Sequence, residues 1–329
     1  MKKILLSVVC LIMVGIQSVN AQTPAAIMLM HQGKATMYSN QELTNAVAAA
    51  EAGDTIFLSN GTYSVLSGLT IDKPISLIGV GQSTVVTGDV TVDIEGTATI
   101  IGRLLDGMRL THSLIINKNP ETITIRKCWI SVDLRLNEGA GDVIVDRCYA
   151  RYFMPISGFN KAFSATNSVF SQYFKSSDTF QVSTTGNVIF TNCNLGDFYY
   201  GDSYNGNATF VNCLTGNPNR SASSNTFVNC GVTIYSNSGT YDSCYAIGSD
   251  TSTYFSIDKD TGFPTPPESC SAEALQTAGY LGTDGTIIGA EGGSTPYNLN
   301  PSLPTVSQSS FTVDNSTRTL NVTLTVTAE

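Results

Sequence analysis

The sequence is poor in charged residues, which make up 13% of its 329 residues, and it has one tryptophan and two histidines. Its formal net charge is −9. Because nucleic-acid affinity rests on basic charge, this composition argues against nucleic acid as a partner. Beyond residue 21 no stretch approaches the ~18 consecutive apolar residues of a transmembrane helix. We therefore expect a protein that does not span a membrane.

The first 21 residues have the pattern of a secretory signal peptide. Lys2 and Lys3 supply the positive charge, residues 4–16 form a short apolar run, and Val19-Asn20-Ala21 fits a small-residue cleavage site. Without this leader Lys+Arg falls from 17 to 15 against 26 Asp+Glu, so the net charge becomes −11. We expect an exported protein that is periplasmic, on the cell surface or secreted.

The chain carries an internal repeat in which short apolar strands end in cysteine. The copies read ITIRKC, VIVDRC, VIFTNC, ATFVNC, NTFVNC and GTYDSC, and AFSATNS places Ser168 at the same position. The repeated positions are Cys128, Cys148, Ser168, Cys193, Cys213, Cys230 and Cys244, separated by steps of 20, 20, 25, 20, 17 and 14 residues. A period near ~20 with β-branched and aromatic alternation predicts an all-β parallel solenoid.

The residue before each repeated cysteine is predicted to turn a corner. It is Asn at positions 167, 192, 212 and 229, and Asn tolerates the left-handed αL conformation. Stacked in register, these asparagines are expected to form a hydrogen-bonded ladder. Equivalent cysteines would lie ~4.8 Å apart with parallel Cβ vectors, a poor geometry for a disulfide, so free buried thiols and no metal site are predicted.

Both ends of the repeat carry candidate caps. Residues 41–51 are Ala-rich, with Ser39 and Glu42 fitting a capping box, and predict an N-terminal helix that Gly53 ends. TLNVTLTVTA alternates strictly and, with SSFTV, predicts a terminal hairpin. The expected domains are a signal peptide (1–21), a β-helix with its cap (22–300) and a strand or hairpin segment (301–329) that offers a docking point for a protein partner.

The stretch AGDTIFLSNGTY, followed by ISLIGVG and coils such as VIFTNC, resembles right-handed parallel β-helix proteins of the pectin-lyase-like superfamily. The stretch GYLGTDGTIIGAEGGSTPYNLNP (279–301) is similar to the end segment of uncharacterised exported β-helix proteins from Bacteroidetes-type bacteria. The resemblance implies a single-stranded right-handed parallel β-helix. For enzymes of this fold it implies acidic polysaccharide substrates, cleaved by lyases with an Arg or Lys base and Ca²⁺, or by hydrolases with paired aspartates.

Familiar catalytic motifs of those enzymes are missing from the sequence. It has no Asp-Asp dipeptide, no Trp-x-Asp-His and no Arg-x-Pro-x-x-Arg. The expected function is therefore a non-catalytic exported scaffold that binds polysaccharide or cell-envelope glycan, or that acts as a cell-envelope interaction protein. The alternative is a polysaccharide lyase cleaving uronate-containing glycans by β-elimination, with Arg135, Lys175 or Arg220 as base and neutraliser. No cofactor is expected, except Ca²⁺ for a lyase.

Cations concentrate in residues 103–151, where eight of the fifteen cations outside the leader lie. Such a basic region on an acidic protein is typical of a site for a uronate or sulfate. The alternative is that these cations are solvated or form ion pairs with Asp133, Asp142 and Asp146.

A candidate ligand-binding stripe follows from counting five and seven positions on from each repeated cysteine or serine. Aromatic side chains and cations recur there, and if the cations face solvent, the aromatics share their face. Sugar rings would stack on the aromatics while cations hold carboxylates. The alternative is that a turn flips the alternation and buries the aromatics. The candidate residues are Arg135, Phe153, Tyr173, Lys175, Phe198, Tyr200 and Arg220.

Overall fold

The computed structural model describes residues 25–95, 103–155, 159–173, 187–198, 208–216, 225–232, 239–247, 272–299, 305–314 and 319–327. The described residues fall into two compact units. One lies within Ala25–Asn300, and the other contains the described strands of residues 305–327. The first unit is an all-β solenoid of parallel stacked strands, so the predicted parallel β-helix is confirmed.

The elements are short strands with two helices of one to two turns. The helices are α1 (Leu43–Ala49) and α2 (Ala272–Ala278). The strands are β1 (Ala26–His31), β2 (Lys34–Ser39), β3 (Thr55–Leu58), β4 (Gly61–Ser64), β5 (Leu69–Ile71), β6 (Ser76–Ile78), β7 (Thr84–Thr87), β8 (Val90–Asp93), β9 (Arg103–Asp106), β10 (Arg109–Leu110), β11 (Leu114–Lys118), β12 (Ile123–Arg126), β13 (Trp129–Leu136), β14 (Val143–Asp146), β15 (Tyr149–Pro155), β16 (Phe163–Thr166), β17 (Val169–Tyr173), β18 (Val188–Thr191), β19 (Asn194–Phe198), β20 (Ala208–Val211), β21 (Leu214–Thr215), β22 (Thr226–Val228), β23 (Gly231–Val232), β24 (Thr240–Asp242), β25 (Tyr245–Ala246), β26 (Thr305–Asp314) and β27 (Thr319–Thr327).

Two long sheets run along the solenoid. In the described residues sheet 1 has the order β2-β1-β3-β6-β9-β12-β14-β16-β18-β20-β22-β24. Sheet 2 has the order β25-β23-β21-β19-β17-β15-β13-β10-β7-β4, and β11, β8 and β5 extend from the far half of β13. Each coil therefore passes through sheet 1 and then sheet 2. The N-terminal coils add a third strand, in β5, β8 and β11.

The core lies between the sheets and follows the predicted alternation. In β12, Ile123 and Ile125 are buried while Thr124 and Arg126 are partly exposed. In the coils toward the C-terminus, equivalent inward-facing positions of successive strands of sheet 1 carry aromatic rings that stack on one another. The centroids of Phe190 and Phe210 lie 5.2 Å apart and those of Phe210 and Phe227 lie 4.7 Å apart, with interplanar angles of 6° and 10°. Tyr241 continues the stack at 4.9 Å from Phe227.

The N-terminal end of the solenoid is closed by a hairpin as well as a helix. Strand β1 runs antiparallel to both β2 and β3, so it covers the edge of the first coil. The predicted capping helix is present as α1, although it is shorter than residues 41–51. Ser39 N donates a hydrogen bond to the Glu42 carboxylate at 2.9 Å, and this bond lowers the pKa of Glu42. The β1–β2 hairpin was not predicted.

The predicted corners are confirmed at all seven repeated positions. The residue before each one has a positive φ: Lys127 (50°), Arg147 (52°), Asn167 (44°), Asn192 (49°), Asn212 (54°), Asn229 (49°) and Ser243 (54°). A residue in the left-handed backbone conformation changes the direction of the chain between a strand of sheet 1 and the next strand of sheet 2. It also leaves the N–H group of the following residue without a strand partner.

Cysteine supplies that partner from the next coil. Cys193 N donates to Cys213 Sγ at 3.4 Å, and Cys213 N donates to Cys230 Sγ at 3.3 Å. Ser168 does the same with oxygen, accepting from Cys148 N at 3.0 Å. Each side chain also donates to the carbonyl two residues before it, as Cys213 does to Val211. The six cysteines of the described residues are free thiols, as predicted.

We expect Cys213→Ala to destabilise the fold more than Cys213→Ser. Alanine removes the acceptor for the buried Cys193 N–H, and an unsatisfied buried donor costs about 1–3 kcal/mol. Serine keeps both hydrogen bonds, as Ser168 shows. Denaturant unfolding monitored by circular dichroism measures the difference. An alanine variant as stable as the serine variant would contradict this role for sulfur.

The buried thiols also make stability depend on pH. Burial raises the pKa of Cys148, Cys213 and Cys230 well above the ordinary value of 9.0. The folded chain keeps these thiols protonated, while the unfolded chain ionises them. Their contribution is therefore complete below pH ~9 and is lost as the pH rises further, at about 1.4 kcal/mol per pH unit for each thiol.

We expect the free energy of unfolding to fall less steeply between pH 9 and 10.5 in Cys213→Ser than in the unchanged protein, by about 1.4 kcal/mol per pH unit. Urea titrations at several pH values measure this. Parallel curves for the two proteins would show that Cys213 does not carry the effect.

Residues 279–299 form a strap that crosses several corners of the solenoid. Asn167 Nδ2 donates to the carbonyls of Ala290 and Gly292 at 3.2 and 2.6 Å. Asn212 Oδ1 accepts from Thr283 N at 2.8 Å. Asn167 and Asn212 thus bind the strap rather than one another, so the predicted asparagine ladder is wrong for these corners. The corners of the two preceding repeats carry Lys127 and Arg147 instead of asparagine, and Asn229 has no hydrogen bond to the described strap.

The glycines of the strap allow it to approach the corners closely. Gly289 and Gly293 have φ values of 92° and 74°, and a Cβ at either would collide with Asn194 or Asn192. The backbone N–H of Ala290 donates to Asn194 Oδ1 at 2.9 Å. The strap therefore explains the glycine-rich composition of this stretch.

We expect Asn212→Gly to loosen the strap without straining the corner, because glycine accepts a positive φ. The lost hydrogen bonds should lower the free energy of unfolding by about 1–3 kcal/mol and speed amide exchange in residues 279–293. Asn229→Gly is the matched control, since Asn229 has the same backbone conformation and no hydrogen bond to the described strap. Equal effects of the two changes would contradict the role of Asn212.

The second compact unit contains the predicted terminal hairpin. Strands β26 and β27 pair antiparallel, with a bulge between Val306 and Gln308. In this pairing Phe311 lies opposite Val322. The hairpin prediction is therefore confirmed.

Candidate functional site

The longest strand of the solenoid, β13, brings together the polar residues of the candidate site. Its buried residues Ile130, Leu134 and Leu136 face the core. Between and beyond them, Ser131, Asp133 and Arg135 lie on the outer surface of sheet 2. Arg135 was predicted as a site residue, and the structure places its side chain on the surface with 32% exposed.

The pairing of β13 with β15 is interrupted by a bulge. Ile130 pairs with Ala150 and Asp133 pairs with Tyr152, so two residues of β13 lie opposite one residue of β15. Leu134, rather than Asp133, then pairs with Phe153. Counting equal numbers of residues from each repeated cysteine therefore fails by one position between these coils.

The predicted stripe is wrong for Phe153, which belongs to the core. Its side chain is 0% exposed, and its ring centroid lies 4.3 Å from that of Phe163. The physical reason is the extra residue of β13, which places Phe153 beside the inward-facing Leu134. Strand pairing puts Tyr173 and Phe198 in the same register row as Phe153. The other candidates, Lys175, Tyr200 and Arg220, lie outside the described residues.

Many cations of the basic region are engaged by carboxylates. Oxygen–nitrogen distances are 2.8 Å for Arg126–Asp106 and Arg147–Asp146, 3.1 Å for Arg135–Asp133 and 2.8 Å for Lys118–Glu95. In the exposed Lys118–Glu95 pair the hydrogen bond lowers the pKa of the glutamate and raises that of the lysine. This arrangement favours the ion-pair interpretation of the region over an open site for anions.

Two cations stack on aromatic rings of sheet 2. The guanidinium of Arg109 lies 4.7 Å from the ring centroid of Trp129, and that of Arg151 lies 5.1 Å from the ring centroid of Tyr152. The two pairs differ in exposure. Trp129 is 8% exposed and packs with Tyr149 and the strap residue Tyr297, whereas Arg151 is exposed and Tyr152 half-buried. Only the Arg151–Tyr152 pair therefore presents an aromatic face near solvent.

The buried aromatic residues beneath the strap are structural. The rings of Trp129 and Tyr149 meet edge to face at 5.3 Å. Tyr149 Oη and Ser171 Oγ lie 3.1 Å apart, and burial raises the pKa of Tyr149. Burial likewise raises the pKa of Tyr297. These side chains fix the strap to sheet 2 and are covered by it.

A shallow depression of about 450 Å³ lies beside the third row of strands. It is lined by Ile94, Glu95, Lys118, Asn119, Pro120 and Gly139. Among the described residues that line it, Glu95 is the one carboxylate, and it is paired with Lys118. The described lining therefore shows one ion-paired carboxylate, whereas glycoside hydrolysis uses two.

The described residues contain no group of three or more His, Cys, Asp or Glu side chains that could hold a metal ion. The two histidines have structural partners. His31 Nδ1 lies 2.9 Å from Asp54 Oδ1 in the N-terminal cap, and His112 Nδ1 accepts a hydrogen bond from Gly88 N at 3.2 Å. No helix of the described chain is long and apolar enough to cross a membrane.

Comparison with known proteins gives no match to a family model, to a curated protein or to a solved structure.

The candidate-site residues missed by sequence reasoning are Ser131 and Tyr152. Arg151 was included only as a cation of the basic region, and Asp133 only as an ion-pair partner. The sequence signal was present in the string SVDLR, where Ser, Asp and Arg recur at every second residue of a strand. Tyr152 had no such signal, because its position beside Asp133 depends on the bulge.

Proposed function

We propose that the chain is an exported, non-catalytic β-helix scaffold that binds polysaccharide through the outer surface of sheet 2 around β13 and β15. The observation that carries this proposal is the half-buried ring of Tyr152, with Arg151 above it, in register with the Asp133–Arg135 pair. An aromatic face beside fixed hydrogen-bonding groups is the usual composition of a carbohydrate site.

The signal-peptide pattern supports an extracytoplasmic role, and the resemblance to pectin-lyase-like β-helix proteins supports a polysaccharide ligand. The state of Arg135 favours binding over catalysis. Its guanidinium already donates to Asp133, and arginine has no lone pair free to accept a proton. Arg135, the base first considered for a lyase, is therefore engaged by Asp133.

We expect the mature protein to be retarded in native gels containing a polysaccharide, with no ultraviolet absorbance from unsaturated uronate products. Tyr152→Ala should weaken binding about 3- to 10-fold, the effect of losing one aromatic stacking contact. Phe57→Ala is the matched control, since Phe57 is a half-buried aromatic on the outer face of sheet 1.

Retardation by none of a panel of neutral and uronate-containing polysaccharides would contradict the proposal. New absorbance that is lost in Arg135→Ala would establish the lyase alternative instead. Circular dichroism spectra of the variants verify that each one is folded.

A further inference from the structure

The outer surface around β13 contains buried polar atoms that have no hydrogen-bond partner. They are Ser131 Oγ, Asp133 Oδ1, Arg135 Nε and, from the preceding coil, Arg109 Nε. Asp133 is the most telling of them, because a carboxylate that is only 7% exposed retains one oxygen with no donor. Leaving such a group unsatisfied is unfavourable, so these atoms are suited to a bound polar group.

The other oxygen of Asp133 is fixed in place. Asp133 Oδ2 accepts hydrogen bonds from Arg135 Nη2 at 3.1 Å and from Ser113 Oγ at 3.5 Å. The two opposite charges offset each other. The pair therefore presents one unused acceptor, Asp133 Oδ1, and one unused donor, Arg135 Nε, with little net charge.

An unused acceptor beside an unused donor matches a hydroxyl-bearing ligand better than an anion. A sugar hydroxyl both donates and accepts, so neighbouring hydroxyls can use both groups. A uronate carboxylate only accepts, would be repelled by Asp133, and would compete for an arginine that is already paired. The geometry therefore disfavours the carboxylate-holding role first predicted for Arg135.

The neighbouring coil supplies the apolar wall of the site. Tyr152 is the strand partner of Asp133, and backbones of adjacent strands lie ~4.8 Å apart. Its ring is half-buried beside the guanidinium of Arg151, and aromatic rings are suited to contact the apolar side of a sugar ring. Ser131 lies two residues before Asp133 on the same strand and adds a further unpartnered hydroxyl.

We infer that Ser131, Asp133 and Arg135, with Tyr152, form a subsite for a neutral sugar unit, recognised through adjacent hydroxyl groups. Arg135 is only partly exposed and lies against Asp133, so the subsite opens by rotation of the flexible arginine side chain. This inference rests on the proposed function, because it names the class of sugar that the same surface binds.

The test compares two neutral polysaccharides, dextran and xylan, with polygalacturonate in affinity gel electrophoresis. A neutral polysaccharide should retard the unchanged protein, and Asp133→Asn should weaken that binding about tenfold, as expected for one charge-assisted hydrogen bond. Asp146→Asn is the matched control, because Asp146 pairs with Arg147 at 2.8 Å on sheet 1 in the same way. It should leave binding unchanged.

Ser131→Ala separates binding from folding. Because Ser131 Oγ has no hydrogen bond to lose, this variant should melt at the same temperature as the unchanged protein or higher, and yet bind the neutral polysaccharide several-fold more weakly. It also keeps the test decisive if Asp133→Asn does not fold.

The remaining outcomes distinguish this inference from the proposed function. Binding to polygalacturonate alone, unchanged or strengthened in Asp133→Asn, would overturn the neutral-sugar subsite and leave polysaccharide binding standing. Equal weakening by Asp133→Asn and Asp146→Asn would also overturn the subsite. Retardation by none of the three polysaccharides would overturn both proposals.

Discussion

The left-handed corner between sheets 1 and 2 is the constraint on which the solenoid depends. A positive φ turns the chain but leaves the next N–H group inside the core without a carbonyl partner. The cysteine or serine side chain of the following coil accepts a hydrogen bond from that N–H group and donates one to a backbone carbonyl. Each coil is thus completed by the next one, which accounts for a small residue with both donor and acceptor at every repeat.

The same corners determine where the strap can bind. Asparagine tolerates the positive φ and also offers an amide to the outside, so corners beneath the strap carry Asn167, Asn192 and Asn212. The strap covers Trp129 and Tyr149 together with these corners. Elsewhere on sheet 2, Asp133 and Tyr152 are positioned by strand pairing.

Much of the fold could be predicted from the sequence because the repeated cysteines show the length of each coil directly. The ladder positions, the corners and the free thiols all follow from one residue type recurring after an alternating strand. The burial of Phe153 did not follow from the repeat. One extra residue in β13 shifts its pairing with β15 by one position, and nothing in the sequence marks this bulge. A register error of one residue moves a side chain from the surface to the core.

The strap and the N-terminal hairpin were unreadable for a different reason. The strap contacts segments that are distant in sequence. Glycine-rich and short apolar stretches have no periodic pattern from which their pairing partners could be predicted. For the candidate site, Arg135 was predicted to face solvent, and its side chain is 32% exposed. Its pairing with Asp133 and its proximity to Tyr152 depend on three-dimensional register.

The position of the strap in the chain has a consequence for how the molecule forms. Neighbouring coils join residues about one repeat apart, but the strap joins Asn167 to residues 123 and 125 positions later. Closing such a long loop costs more chain entropy and follows the local contacts. During folding we therefore expect the corner asparagines to be wound into coils first and to lose water only when residues 279–299 dock on them. The strap therefore docks on the solenoid after the coils have formed.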